Sequence, residues 1–191
     1  MNELTIVTPC YRQENLDRVY DSIRFESITR WIIVYDPSKH IPIHQKFNHP
    51  KILELHMEYS EPWSWCGNSQ RDYALDKIES GWIYFLDDDN IMHQGFWDMF
   101  SSVSLPYFYT FNMQCVHSDE IQLHGDKIAI MFIDTAMFLV HKDHIKNTKW
   151  SSAGDQRLGD FLFIRTILET NPNLHQYINV KACYHNYILY S

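Results

Sequence analysis

Three aspartates stand side by side at Asp87, Asp88 and Asp89, directly after the apolar run Trp82-Ile83-Tyr84-Phe85-Leu86. Carboxylates held that close repel one another unless a cation joins them, and oxygen-only ligands suit a hard cation such as Mg²⁺ or Mn²⁺. One aspartate in this place would be accounted for as an acidic turn capping the helical segment Gln94 to Phe100; three are not. The run before them is short, aromatic and branched, and Gly81 precedes it, which predicts a strand buried on both faces. In an open α/β sheet, ligands bind beyond the carboxyl ends of the strands. The three carboxylates therefore stand where a ligand is expected.

The elements that must position them follow from periodicity. Leu4 to Thr8 reads as a first strand, stopped by Pro9. A helix is expected from about Glu14 to Ile28, with Leu16, Val19, Tyr20 and Ile23 on one side. Trp31 to Tyr35 is a second buried strand, ended by Asp36-Pro37-Ser38, and Lys51 to His56 a third. A helix starts near Gly67-Asn68-Ser69 and places Arg71 on the same stripe as Ala74, Leu75 and Ile78, a cation where the helix should face the sheet. The order β-α-β-β-α-β is that of a nucleotide-binding half of an α/β domain. Beyond it, Leu105 to Met113, Lys127 to Ile133 and Ala136 to Val140 read as strands, Cys115 to Gly125 as a connection or hairpin, and Leu158 to Glu169 as a helix ended by Asn171-Pro172-Asn173. No element is assigned to the tail from Tyr177 to Tyr187.

The chain has 191 residues, 45% hydrophobic and 15% aromatic, which suits one globular domain. Its formal charge of -8 argues against general nucleic-acid binding, which needs a basic surface. Cys10, Cys66, Cys115 and Cys183 form no CxxC pair, so free thiols in a reducing compartment are expected rather than zinc ligands. The first residues lack a signal core and no run has the length of a membrane span. A soluble, intracellular, cytoplasmic protein is the expectation.

At Gln70-Arg71, Ala74-Leu75, Gly81, Tyr84-Phe85 and Asp87-Asp88-Asp89-Asn90 the chain resembles the core of GT-A glycosyltransferases, the glucuronosyltransferases above all. The opening Thr5-Ile6-Val7-Thr8-Pro9-Cys10-Tyr11-Arg12 is similar to the start of the same group and of family 2 enzymes. Ile133-Asp134-Thr135-Ala136-Met137-Phe138-Leu139-Val140 resembles a family 2 strand, and Trp150 followed by Gly159-Asp160-Phe161-Leu162-Phe163-Ile164-Arg165 resembles what comes after it. The motifs cover most of the chain and stand in the family's order. In size the chain is also similar to small virus-encoded glycosyltransferases.

The resemblance implies a single GT-A domain: a Rossmann-like, mixed, mostly parallel sheet flanked by helices. Residues 1–92 would form the nucleotide-binding half and residues 93–191 the acceptor-binding half. It implies transfer from a nucleotide-sugar, a UDP-sugar by the match of Asp36 to a uracil-binding aspartate, to a glycan or glycoprotein acceptor. Mn²⁺ or Mg²⁺ would be held by Asp89, with Asp87 or Asp88 serving the ribose or the metal and His185 as a further metal or phosphate ligand. Thr8, Tyr11 and Arg12 would lie near base and ribose. Arg71 would pair with the diphosphate or with an aspartate of the motif, and Asp134 would hold donor sugar or acceptor. Asp160 matches the general base of inverting members, with Asp155 as its rival.

Each residue also has a plainer reading. Tyr11 could be packing, Asp36 an Asp-Pro turn, Arg71 a structural ion pair, Asp160 a carboxylate on a helix dipole and His185 structural. Trp65 and Trp150 are candidates for stacking on a sugar, and equally for the core. The chain departs from the family pattern where a glutamate is expected and Gly159 stands, and where the Golgi enzymes carry an anchor and stem. Two rival functions remain: a nucleotidyltransferase, which would want a glycine-rich, lysine-containing loop after the first strand, and a non-catalytic carbohydrate- or protein-binding module on the same fold.

Overall fold

The computed structural model describes residues 3–39, 45–58, 67–145, 148–152 and 158–187. Its strands are β1 (Leu4–Cys10), β2 (Arg30–Tyr35), β3 (Ile52–His56), β4 (Trp82–Phe85), β5 (Ile91–Met92), β6 (Phe108–Gln114), β7 (Ile121–Leu123), β8 (Phe138–His141) and β9 (His175–Tyr184). Its helices are α1 (Leu16–Ser22), α2 (Asn68–Leu75), α3 (Gln94–Phe100), α4 (Lys142–Ile145) and α5 (Gly159–Thr170). One mixed sheet runs in the order β3-β2-β1-β4-β8-β6-β9-β5, with β7 paired to β6. This is the α/β architecture expected from the sequence.

The half that holds the N-terminal strands is parallel: β1 lies between β2 and β4, and β3 flanks β2. Parallel strands are covered on both faces, and β1, β2 and β4 carry the matching composition, with Ile6, Val7, Ile32, Ile33, Val34, Ile83, Tyr84 and Phe85 fully or almost fully buried. At β8 the direction reverses, because β8 runs antiparallel to both β4 and β6. β9 then pairs parallel to β6 and antiparallel to β5.

Two expectations are corrected. Lys127 to Ile133 is not a strand: it is a run of turns, with Met131 at φ 68 and Ile130, Met131 and Phe132 exposed. A positive φ at a non-glycine residue breaks the extended path that a strand needs. The helix expected over Glu14 to Ile28 is shorter, α1 being flanked by 3-10 turns at Gln13–Asn15 and Phe25–Ser27, because Ile23 turns extended at ψ 127. β9, by contrast, has no counterpart among the sequence expectations.

Candidate active site

The carboxyl ends of β1, β2 and β4 meet at one edge of the sheet. Asp36 donates its backbone N–H to the Cys10 carbonyl (3.0 Å), which ties the end of β2 to the end of β1. α2 starts against that same end. Gly67 precedes it at φ 81, and a Cβ there would lie 2.6 Å from the Pro9 side chain. Only glycine allows both the left-handed backbone and the close approach. The Gly67 N–H then donates to the Tyr11 hydroxyl (2.9 Å), so the loop after β1 and the start of α2 are held together.

β4 delivers Asp87, Asp88 and Asp89 into this junction, and the three diverge. Asp88 is buried and takes up the loop after β1: its carboxylate accepts from the backbone N–H groups of Tyr11 (2.6 Å) and Arg12 (2.7 Å) and from the Arg12 guanidinium. Asp89 accepts from Arg12 Nη2 at 2.8 Å. Burial, then the charges of Asp87 and Asp88, push the Asp89 carboxyl up to about 6 against the pull of Arg12. Asp87 turns the other way and accepts from Arg71 Nη2 (2.5 Å) and from the Thr135 hydroxyl (3.2 Å).

Arg71 is the hub of that second group. It is 2% exposed, its guanidinium lies 4.8 Å from the centre of the Trp150 ring, and the charges it senses are those of Asp87, Asp160 and Asp134. Asp134 stands ahead of β8, where its carboxylate accepts from the Ala136 N–H (3.1 Å). Burial and the charge of Asp87 raise its pKa, and His185 beside it pulls the other way. Asp160 lies in the first turn of α5. Although the residue keeps some exposure, burial of its carboxyl together with the charge of Asp134 pushes it up from the ordinary 3.8 to about 8, against the pull of Arg71. A carboxyl tuned to that range can take a proton near neutral pH. Gly159 has a local reason: a Cβ there would sit 2.8 Å from the Asn68 amide, so the first turns of α5 and α2 pack too closely for a larger residue.

The sequence candidates thus fall into distinct places. Asp87, Asp134, Asp160 and Arg71 are together. Asp88, Asp89, Tyr11 and Arg12 are together on the neighbouring side. His185 is brought towards Asp134 by the turn after β9, where the Asn186 N–H donates to Asn90 Oδ1 (2.6 Å) and the His185 N–H to the Gln114 carbonyl (3.0 Å). Thr8 is fully buried, its hydroxyl accepting from Trp31 Nε1 (2.9 Å) inside the sheet layer. Asp36 is buried and accepts from the Ser38 N–H (2.7 Å), the turn geometry of an Asp-Pro sequence, and its charge is felt by the Tyr11 hydroxyl. Asp155 and Trp65 lie outside the described residues. Trp150 is fully buried and stacks on Phe163 at 4.1 Å, which makes it a core residue. Asp72 was not singled out by sequence, yet both its oxygens are occupied by the turn that carries Trp150. An acidic residue beside Arg71, on a helix meant to face a sheet, is the only signal that could have found it.

Among the described residues no group of three His, Cys, Asp or Glu side chains is arranged to hold a metal ion. That does not weigh against Mg²⁺ or Mn²⁺ on the donor: such ions bind through one or two carboxylates and take their remaining ligands from water and substrate phosphates. Asp89 suits that role, since a cation would offset the burial, and then the repulsion by Asp87 and Asp88, that raise its pKa. Among the described residues no helix is long and apolar enough to cross a membrane.

No family model matches the chain, and no curated protein matches its sequence. Solved structures do match its fold. TarS of S. aureus, residues 1–349, aligns with a TM-score of 0.69 at 13% identity over 95% of this chain and 60% of that one. The same TarS segment in complex with UDP gives a TM-score of 0.68 at 13% identity, and in complex with UDP-GlcNAc 0.66 at 12%, each over 96% of this chain. This chain spans about three fifths of the TarS segment that it matches. The fold is that of TarS, a GT-A-type glycosyltransferase.

Proposed function

We propose that the chain is a glycosyltransferase that moves a sugar from a UDP-sugar to a glycan or glycoprotein acceptor, with metal dependence and inversion at the anomeric carbon. The observation that carries this reading is the split of one acidic motif. Asp89 faces the loop after β1 through Arg12, while Asp87 faces Asp160 and Asp134 through Arg71. On this reading a donor side and a base side adjoin, and the reading is supported by a fold that in TarS accommodates UDP and UDP-GlcNAc.

In this mechanism residues 1–92 hold the nucleotide, with Tyr11, Arg12 and Asp36 at the ends of β1 and β2. Residues 93–191 supply Asp134, Asp160 and His185 on the acceptor side. The acceptor hydroxyl oxygen forms a bond to the anomeric carbon, and the bond from that carbon to the diphosphate oxygen breaks. The electron pair leaves with UDP, and the hydroxyl proton passes to Asp160. Asp160 must therefore be ionised when the acceptor arrives, and its raised pKa makes it a stronger base once it is. A divalent ion on Asp89 would supply Lewis-acid stabilisation of the leaving diphosphate. Arg71 offsets part of the repulsion among Asp87, Asp134 and Asp160 from within the protein interior.

The test is a panel of nucleotides and nucleotide-sugars read by thermal shift in Mn²⁺, followed by product analysis with the sugar that binds. Binding to the native state raises the midpoint. UDP should raise it more than GDP or CMP at equal concentration, and the product should have the opposite anomeric configuration to the donor. A preference for GDP would take Asp36 out of the nucleotide site. Retention of configuration would remove Asp160 as the base.

A further inference from the structure

Asp72 lies on α2 next to Arg71 and is buried. Its carboxylate accepts two successive backbone N–H groups, Trp150 N–H to Oδ1 (2.8 Å) and Ser151 N–H to Oδ2 (2.9 Å). The contact joins residues 78 and 79 positions apart in the chain. A carboxylate on two adjacent amides fixes the turn between them, because each oxygen is committed to one direction.

What that turn carries is the Trp150 indole, which is fully buried. The Phe163 ring is stacked on it at 4.1 Å with an interplanar angle of 8°. The Arg71 guanidinium lies 4.8 Å from its centre. Phe85 closes the edge at 5.0 Å. Phe163 and Asp160 are three residues apart on α5, so they share one side of that helix. The indole therefore spaces α5 from Arg71, and with it the carboxylate of Asp160 from the Arg71–Asp87 pair.

We infer that Asp72 is a positioning residue: by fixing the Trp150–Ser151 turn it sets where Asp160 stands relative to Arg71 and Asp87. This rests on the reading of Asp160 as the base. Asp72 acts on the transfer step and not on nucleotide binding, since the loop after β1 is held by Asp88 and Gly67 independently of it. Misplacing a catalytic group by about 1 Å can cost about a hundredfold in rate.

The experiment uses Asp72→Asn, Asp72→Ala, Asp160→Asn and the double variant Asp72→Ala/Asp160→Asn in the full chain. Four quantities are measured: kcat, KM for the donor, the calorimetric Kd for UDP, and amide hydrogen exchange at Trp150 and Ser151. Asp72→Ala should speed exchange at both amides and lower kcat about ten- to a hundredfold. The UDP Kd should stay within about twofold, and the double variant should be no slower than Asp160→Asn alone, since residues acting as one unit are not additive. Asp72→Asn keeps one acceptor and should fall between wild type and alanine, which also provides a folded variant if alanine does not fold. The inference is overturned if Asp72→Asn and Asp72→Ala leave kcat unchanged, if they weaken UDP in proportion to kcat, or if their effect adds in full to that of Asp160→Asn. When Asp160→Asn is dead and the Asp72 variants are active, Asp72 alone is misassigned. When Asp160→Asn is fully active, the base assignment falls and the positioning role falls with it.

Discussion

Two arginines divide one acidic motif between them, and they do so unequally. Arg12 meets two carboxylates, Asp88 and Asp89, and its side chain keeps 35% of its surface exposed. Asp88 takes two backbone N–H groups on Oδ2 and gives Oδ1 to the Arg12 guanidinium. Arg71 sits among three carboxylates, Asp87, Asp134 and Asp160, and is almost fully buried. Both sides hold more negative than positive charge, but the Arg12 side is the more open of the two, and its Asp89 carboxyl is lifted by burial and by Asp87 and Asp88 to about 6. The Arg71 side is deeper: there burial first, and then the neighbouring carboxylates, raise the pKa of Asp134 and of Asp160. A protein keeps such an imbalance only where the surrounding packing over-determines it, and perturbed buried carboxylates of that kind concentrate at functional sites. The difference separates a place suited to a mobile cation and a nucleotide from a place suited to moving a proton.

Breaking the base side should give the largest effect. Asp160→Asn keeps the shape and removes the basicity, so kcat should fall by about 10²–10⁴ while UDP binding is nearly unchanged. Asp155→Asn should do much less, which steady-state kinetics on the two variants will show. Removing the buried cation comes next. Arg71→Met leaves buried carboxylates unpaired and should cost about 3–5 kcal/mol in denaturant unfolding. The loss should shrink as the pH is lowered and the carboxylates take up protons.

A smaller effect sharpens the comparison through pH. The Asp160 carboxyl is raised from 3.8 to about 8, so the folded protein holds a proton there that the unfolded chain releases. The stability from that retained proton is full below about 4 and is lost as the pH rises through about 8. Asp160→Asn carries no such proton, so its thermal midpoint should gain on wild type from about pH 4 to about pH 8 and then level off. A constant difference across that range would mean that Asp160 is not buried as described. The least effect is expected on the open side. Arg12→Ala removes a part-exposed guanidinium from buried carboxylates, of which Asp88 keeps two backbone N–H groups, and should cost about 1–3 kcal/mol in the same unfolding experiment, under the loss for Arg71→Met.

Much of this division was legible in the sequence. Trp82 to Leu86 announces a buried strand because every residue in it is large and apolar, and the strand's carboxyl end is where the three aspartates fall. Arg71 was legible as the one cation on an apolar stripe, though not its choice of Asp87 over Asp89. Which aspartate turns towards which arginine depends on contacts 16 and 77 residues apart, and no local pattern carries them. β9 was not legible because its ladder to β6 shifts register between Thr110 and Asn112, which spoils the alternation that identifies a strand. Lys127 to Ile133 misled in the other direction: its apolar residues suggest a strand, yet Met131 takes a left-handed backbone and several of the side chains face solvent. Asp72 offered only its place beside Arg71 on a sheet-facing helix, since the backbone of the distant turn that it holds leaves no pattern in the sequence.

The central claim is that the Asp89 side binds the nucleotide with a cation and the Asp160 side does the chemistry. The most direct measurement is UDP titration by calorimetry, with and without Mn²⁺, on wild type, Asp89→Ala and Asp160→Asn. Mn²⁺ should strengthen UDP binding in wild type and in Asp160→Asn alike, and should have no effect on Asp89→Ala while that variant keeps its fold. Unchanged UDP affinity in Mn²⁺ for Asp89→Ala, or loss of UDP binding in Asp160→Asn, would contradict the division.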